Sequence, residues 1–356
     1  MAECSTGLGG VTVGLDLSDK HAQVCVLDSK GEVLEESKIR TTAEALKSRF
    51  GSMAPVRVAL EAGTHSPWVS RLLAECGHEV LVANPRKLRL IYENDGKNDK
   101  VDALYLARVA RLDPKLLAPI EHRSREAQED LAVLRARDAL VQARTKLINH
   151  VRGSVKAVGG RIPSMSGEIF GSKAEADLPD GLRPALAGVL EAIRTLTEQI
   201  RRADRRIEEA AHERYPQTEA LRQVSGVGTL TSVAYVLTLG DPGRFSSSRT
   251  VGAYLGLRPR QSQSGESDPQ LRITKAGDGF VRRLLVGSAQ YILGPFGPDT
   301  DLRRWGLKLA GRGGKSAKKR AVVAVARKLS VLLHRLWVTQ QEYEPLRNAK
   351  RSGVTT

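Results

Sequence analysis

The chain has 356 residues, with 56 Lys or Arg against 40 Asp or Glu, a formal net charge of +16, and 41% hydrophobic residues. That length favours two domains over one, and the basic excess points to a polyanionic partner, nucleic acid ahead of a membrane surface. Aromatic residues at 4% argue against a protein that grips single strands mainly by base stacking. No apolar run approaches the ~20 residues of a membrane span. Cys4, Cys25 and Cys76 are too few and too irregularly spaced for a disulfide framework or a zinc site. The opening MAECSTGLGG lacks the basic start and apolar core of a signal peptide, so the expected location is cytoplasmic.

In chain order, Val11–Leu17 alternates apolar with small or polar residues, as a half-buried strand does. Ala22–Leu27 repeats the pattern, Ser29-Lys30-Gly31 signals a turn, and Glu32–Arg40 reads as a returning strand. A helix is expected over Thr41–Phe50, capped by Thr41 or Thr42. Val56–Leu60 is a strand, Ser66-Pro67 opens a helix, Glu79–Ala83 is a strand, and Asn98 or Asp99 caps a last helix. Three strands joined by tight turns form an antiparallel meander, whereas later strands reached by crossover helices run parallel. This order resembles the ribonuclease H-like, or RuvC-like, fold.

The middle of the chain is helical over Ser124–Val158 and Leu182–His212, with Gly159–Leu178 between them as a connector. Leu131, Leu134, Val141 and Leu147 share one broad side of the first helix, and Ile193, Leu196, Ile200 and Ile207 recur at near-heptad spacing in the second. From Ala220 onward, Gly-rich turns, basic residues and short helices mark a further domain, and the terminal SGVTT reads as a frayed tail. The expected division is an α/β unit over 1–120, a helical, coiled-coil-like connector over 121–215, and a mainly α unit over 216–350.

Four acids stand out. Asp16 interrupts an apolar strand on the face shared with Gly14, where a carboxylate is costly to bury unless paired or metal-bound. Glu61 ends the fourth strand, and Asp99 and Asp102 lie three apart on one side of the last helix. Each has an ordinary alternative: a strand end, a surface residue, an N-cap, a solvated helix position. Together, at these places, they suit a pair of hard divalent cations that activates an attacking oxygen and stabilises a leaving one in phosphodiester cleavage.

In the last domain, LGLRPRQSQSGESDPQLRITKAGDGFVRRLLVGSA passes from an apolar segment through a polar loop into a basic helix. Ser264 precedes Gly265, whose freedom can expose a hydroxyl, and Arg258, Arg260, Arg272 and Lys275 flank it as candidate phosphate ligands. By composition alone Ser262 and Ser267 are equally eligible, and a flexible polar loop is the ordinary reading. Upstream, Gly226 and Gly228 in SGVG resemble the tight turn of a helix–hairpin–helix, whose backbone N–H groups can meet a DNA phosphate. Gly313-Gly314-Lys315-Ser316 is not a P-loop, because Leu309 occupies the position of its first glycine. Lys315, Lys318 and Lys319 read as backbone contacts to nucleic acid, or as a solvated helix start.

These segments together resemble the DEDD-type insertion-sequence transposases of the IS one-ten and IS eleven-eleven group. The match runs through VGLDLSDKH, LEAG, NP-x12-NDKVDA, SGVG, LGLRPRQSQSG, ITKAGDGFVRRLL and KKRAVVAVARKLSVLLHRLW, in order and across nearly the whole chain. The resemblance implies a RuvC-like DEDD nuclease domain with Asp16, Glu61, Asp99 and Asp102 as its acid set, using Mg2+ or Mn2+. It also implies a C-terminal transposase domain in which Ser264 attacks DNA and holds a covalent phosphoserine. Implied partners are the element ends and target DNA, a structured guide (bridge) RNA and further copies of the chain as a dimer or tetramer; no membrane is implied. Gln263 departs from members that carry a second serine there. Glu266 and Asp268 put negative charge beside the implied phosphate site.

Two other functions fit parts of this pattern. A junction-resolving nuclease would hydrolyse DNA with the acids alone and leave Ser264 dispensable. A non-catalytic binding protein on a degenerate nuclease fold would show salt-sensitive affinity without metal-dependent cleavage. No phosphate loops support a sugar kinase or actin-like ATPase, although these share a related strand order.

Overall fold

The computed structural model describes residues 10–87, 98–265, 267, 269, 271–314 and 316–348. Cys4, Glu266, Asp268 and Lys315 lie outside these residues, as does the terminal SGVTT. The chain divides into two compact units, 1–125 and 126–356.

The first unit is a five-stranded sheet with helices on both faces. Its elements are β1 (Thr12–Leu17), β2 (His21–Leu27), β3 (Val33–Arg40), α1 (Ala43–Phe50), β4 (Arg57–Glu61), α2 (Ser66–Glu75), β5 (Glu79–Ala83) and α3 (Asp99–Leu112). The sheet order is β3-β2-β1-β4-β5, antiparallel between the first three strands and parallel from β1 through β4 to β5. Local chemistry sets these boundaries. The Asp28 carboxylate accepts the N–H groups of Lys30 (2.7 Å) and Glu32 (2.9 Å), which closes the β2–β3 turn. Thr42 caps α1 through Ala45 N (3.3 Å), proline occupies the first turn of α2, and Asn98 caps α3 through Lys100 N (2.7 Å).

β1 departs from the half-buried strand expected: Thr12 through Leu15 are all buried. Strand alternation sends Val13 and Leu15 into a core with Val58, Leu60, Leu46, Phe50, Leu72 and Leu73 beneath α1 and α2. The other face carries Cys25, Leu27, Ala59 and Ala83 against Ala103, Leu106, Ala107 and Ala110 of α3. The small Gly14 and Ala59 on that face let a helix cover it, so a central strand is shielded on both sides.

The second unit is helical: α4 (Arg125–Ala157), α5 (Gly167–Lys173), α6 (Arg183–Arg214), α7 (Thr218–Arg222), α8 (Thr229–Leu239), α9 (Ser248–Tyr254), α10 (Gly279–Leu293), α11 (Asp301–Ala310) and α12 (Ala317–Thr339). Side-chain bonds join Asp130 to Arg214, Arg137 to Asp204 and Arg144 to Thr197. Residue numbers that rise on α4 as they fall on α6 make these an antiparallel pair, each helix about 50 Å long at 1.5 Å per residue. At one end Leu131, Leu134, Ile207 and Ala211 join the main core of the unit. At the other, Val151, Val155, Leu186, Leu190 and Ile193 form a separate small core with Phe170. The segment 159–178 is therefore more than the connector expected, because α5 inserts Phe170 to close the tip. In the main core Tyr235 is fully buried, and its hydroxyl donates to the Ser330 carbonyl (2.6 Å).

Candidate functional site

At the carboxyl ends of β1 and β4 lies an open cleft of about 380 Å3, lined by Asp16, Glu61, Gly63 and His65 among others. Leu15 pairs with Leu60 in the parallel register, so the next residues along, Asp16 and Glu61, stand side by side. Both project from the α3 face and both are half-buried. The loop after Glu61 is fixed from below by Ser66, whose buried hydroxyl accepts from Gly63 N (2.9 Å) and donates to Gly63 O (2.8 Å). His122 Nε2 lies 2.9 Å from the same hydroxyl. Burial, with Arg71 and Arg123 nearby, holds that imidazole below its ordinary range and so neutral at pH 7.

The remaining two acids reach this end of the sheet on α3. A Cβ on Gly14 would stand 1.9 Å from the Ala103 carbonyl oxygen and 2.7 Å from the Ala107 nitrogen, so the helix backbone rests directly on β1. Arg57, which pairs with Thr12 at the start of β1, donates from Nη1 to the Ala110 carbonyl (3.3 Å) near the other end of the helix. α3 thus runs antiparallel to β1, and its first turn points toward the strand end that carries Asp16. Asp99 continues the Ala103–Ala107 stripe by one turn and is exposed. Asp102 is half-buried, with Oδ1 closed off from solvent. All four acids therefore gather at one end of the sheet, as two pairs. Among the described residues, no three His, Cys, Asp or Glu side chains are close enough together to hold a metal ion. The donor chemistry fits a hard divalent cation: Asp16 and Glu61 offer carboxylate oxygens within one cleft, which Asp19 also lines.

His65 had no distinguishing signal in the sequence. It lines the cleft at the N-cap of α2; Trp68 donates its indole N–H to Nδ1 (3.1 Å), and Nε2 lies 3.4 Å from Asp19 Oδ1. A histidine beside a helix start reads equally well as a cap.

In the second unit Ser264 sits at the tip of an exposed two-stranded ribbon. Ser264 N donates to Ser267 O (3.1 Å) and Ser267 N to Ser264 O (3.0 Å), with Gly265 turning between them at φ +56°. Further down, Arg260 N bonds Arg272 O and Thr274 N bonds Arg258 O, both at 2.9 Å. Pro259 and Ile273 are bridge partners, and Ile273 packs on the main core. By alternation Arg258, Arg260 and Arg272 share the opposite, exposed face. The base of the ribbon is a close crossing of backbones. A Cβ on Gly256 (φ +70°) would meet Ala276 N at 2.4 Å, and one on Gly277 would meet Tyr254 O at 2.1 Å. Lys275, in the left-handed region at φ +55°, bonds Gly256 O, and Arg282 Nη1 donates to Leu255 O (3.0 Å) and Gly277 O (3.2 Å). The anchor is closely packed and hydrogen-bonded, and the exposed serine stands out from it.

Gly226 has φ +88° in the turn between α7 and α8, and Gly228 is the N-cap of α8. Lys318 and Lys319 are exposed in the first turn of α12. Cations at a helix N-terminus oppose the helix dipole, which an anion bound there would relieve.

A DEDD-type transposase model of the IS110 group matches residues 13–159, and a model described as transposase of the IS116/IS110/IS902 family matches residues 218–300. A probable family 20 transposase of Pseudomonas aeruginosa is 30% identical, over 94% of this chain and 98% of that protein. The transposase for insertion sequence element IS1111A of Coxiella burnetii is 29% identical over 93% and 90%, and that for IS1328 of Yersinia enterocolitica 28% over 78% and 82%. With its acids at one sheet end, its ribbon-borne serine and relatives aligned along almost its whole length, the chain belongs to the IS110/IS1111 family of insertion-sequence transposases, enzymes that act on DNA.

Proposed function

We propose that this transposase cuts and rejoins DNA with two sets of groups: a metal-binding set of Asp16, Glu61, Asp99 and Asp102 on a RuvC-like domain, and a nucleophilic Ser264. The observation that carries the reading is the Asp16–Glu61 pair, held side by side on adjacent parallel strands in one cleft. When bound, Mg2+ or Mn2+ would polarise the phosphate and stabilise developing negative charge. Asp16 and Glu61 hold ligand oxygens on rigid strands, and Asp99 and Asp102 add carboxylates from the first turn of α3. Ser264 Oγ attacks the scissile phosphorus and releases a sugar hydroxyl. The resulting phosphoserine keeps a phosphodiester bond, so a second DNA end can displace the serine without an external energy source. Arg258, Arg260 and Arg272 carry positive charge toward the phosphoryl transition state.

The family resemblance further supports a guide RNA that pairs with element and target, and assembly as a dimer or tetramer through the long α4–α6 pair. No described helix is long and apolar enough to cross a membrane. The test of the acid set is cleavage of labelled element-end DNA. Asp16→Asn and Glu61→Gln are each expected to slow metal-dependent cleavage by at least about 100-fold, the scale of losing one preorganised electrostatic contact. Cleavage at the wild-type rate by either variant would remove the carboxylates from the mechanism.

A further inference from the structure

We propose that His65 is a substrate-contacting residue of the acid cleft, donating its Nε2–H to a non-bridging oxygen of the DNA phosphate, and that Trp68 fixes the imidazole in the tautomer this contact requires. The proposal rests on the cleft being the place where the phosphate is processed, and it adds the group that holds that phosphate beside the carboxylates. The ring is held from two sides. His65 occupies the N-cap position of α2, yet its side chain makes no capping hydrogen bond. Nδ1 instead accepts the indole N–H of Trp68 at 3.1 Å, and the two rings meet edge to face with centroids 6.2 Å apart. An indole nitrogen only donates, so Nδ1 presents its lone pair and the proton of the neutral ring sits on Nε2. The backbone is fixed as well, because the neighbouring Ser66 hydroxyl closes on both polar groups of Gly63. Position and tautomer are thus set before a substrate arrives, as a preorganised donor needs.

The surroundings of Nε2 supply the rest of the case. It lies 3.4 Å from Oδ1 of Asp19, a carboxylate that lines the same cleft and is 92% exposed. So long a contact to so exposed a partner contributes little, and Asp19 can swing into water and leave the N–H to a phosphate oxygen. The cleft is otherwise poor in donors. Asp16, Asp19 and Glu61 line it, and among the described residues no lysine or arginine does. The Ser18 hydroxyl is committed to the His21 carbonyl (2.6 Å), and Thr64 is exposed. A phosphate seated among carboxylates needs a hydrogen-bond donor as well as a cation, and His65 is the cleft side chain already oriented to be one.

The test is single-turnover cleavage of labelled element-end DNA by the full chain with guide RNA and Mg2+, at saturating DNA. His65→Ala should slow cleavage about 10- to 100-fold, the scale of one hydrogen bond to a charged oxygen. His65→Gln, which keeps an N–H at the reach of Nε2 but cannot act as an acid, should recover most of that loss. A Gln variant as slow as the Ala variant would overturn the donor role and put proton transfer in its place. A wild-type rate from His65→Ala, with Asp16→Asn inactive, would overturn the proposal while the acid set stands; wild-type rates from both would overturn the two together. A second readout needs no turnover. In the full chain labelled with 15N at histidine, with His65 assigned by the signals lost in His65→Gln, Nδ1 should be the bare nitrogen and Nε2 the protonated one, and Trp68→Phe should mix the two forms. A wild-type ring protonated on Nδ1 alone would overturn the proposal.

Discussion

At the scale of single residues, the serine ribbon separates three hydroxyls that composition leaves equal. Ser262, Ser264 and Ser267 are all exposed. Ser264 and Ser267 face each other across the tip and exchange both backbone bonds, but Ser264 alone directly precedes the left-handed Gly265. Ser264→Ala is therefore expected to abolish strand joining while Ser262→Ala retains it, as read by recombination of a reporter plasmid; the opposite pattern would move the nucleophile. Asp16 was legible from the sequence because an acid in an apolar strand needs a reason. Asp99 and Asp102 were legible because their spacing fits one helix side. What was not legible is that the four stand as two pairs, since that depends on how far α3 extends past β1. His65 was invisible for a different reason: its place in the cleft comes from the loop that Ser66 pins, and nothing local marks it.

At the scale of elements, the strand order followed from turn chemistry and from the change in connection length, and most boundaries fell within a residue or two of those expected. Two close backbone approaches did not follow, because a glycine in a strand or loop has several ordinary explanations. Gly14 lets α3 touch β1, and a methyl group there would have to push the helix away from Ala103. Gly14→Ala should cost about 1–3 kcal/mol, as overpacking does, and lower the midpoint of urea unfolding of the first unit. An unchanged midpoint would mean that α3 is not held against the strand. Gly256 both takes φ +70° and faces Ala276 N at 2.4 Å. Gly256→Ala should loosen the ribbon and reduce joining without affecting metal-dependent behaviour of the acid cleft. That separation can be measured by proteolytic nicking between residues 256 and 277.

At the scale of the whole molecule, the acid cleft lies in the first unit and the serine ribbon in the second. Near-heptad spacing correctly suggested the paired helices, but their register is set by polar bonds. At the root of the pair, Arg214 holds Asp130 through Nε (3.0 Å) and Nη2 (2.6 Å), and the Tyr215 hydroxyl adds a bond of 2.7 Å. Burial pushes the Asp130 carboxyl upward, but the Arg214 and Tyr215 bonds together outweigh it and hold it below the ordinary range. A carboxylate titrating lower in the folded state stabilises fully above its unfolded value of about 3.9, and that support fades as pH falls through the lower folded value. Asp130→Asn is thus expected to lower stability by about 1–3 kcal/mol at neutral pH, with the gap to wild type closing in acid. Melting curves across pH would check this; a gap that widens in acid would contradict it. The basic excess, +16 overall, was the plainest whole-molecule signal of a nucleic-acid partner. The central claim, that serine and acids act in one reaction, is tested most directly on a denaturing gel. Labelled element-end DNA is incubated with guide RNA, Mg2+ and either wild type, Ser264→Ala or Asp16→Asn. A covalent protein–DNA band formed by wild type alone is the predicted result. Metal-dependent nicking that persists in Ser264→Ala, with no covalent band in any lane, would contradict it and leave a hydrolytic nuclease.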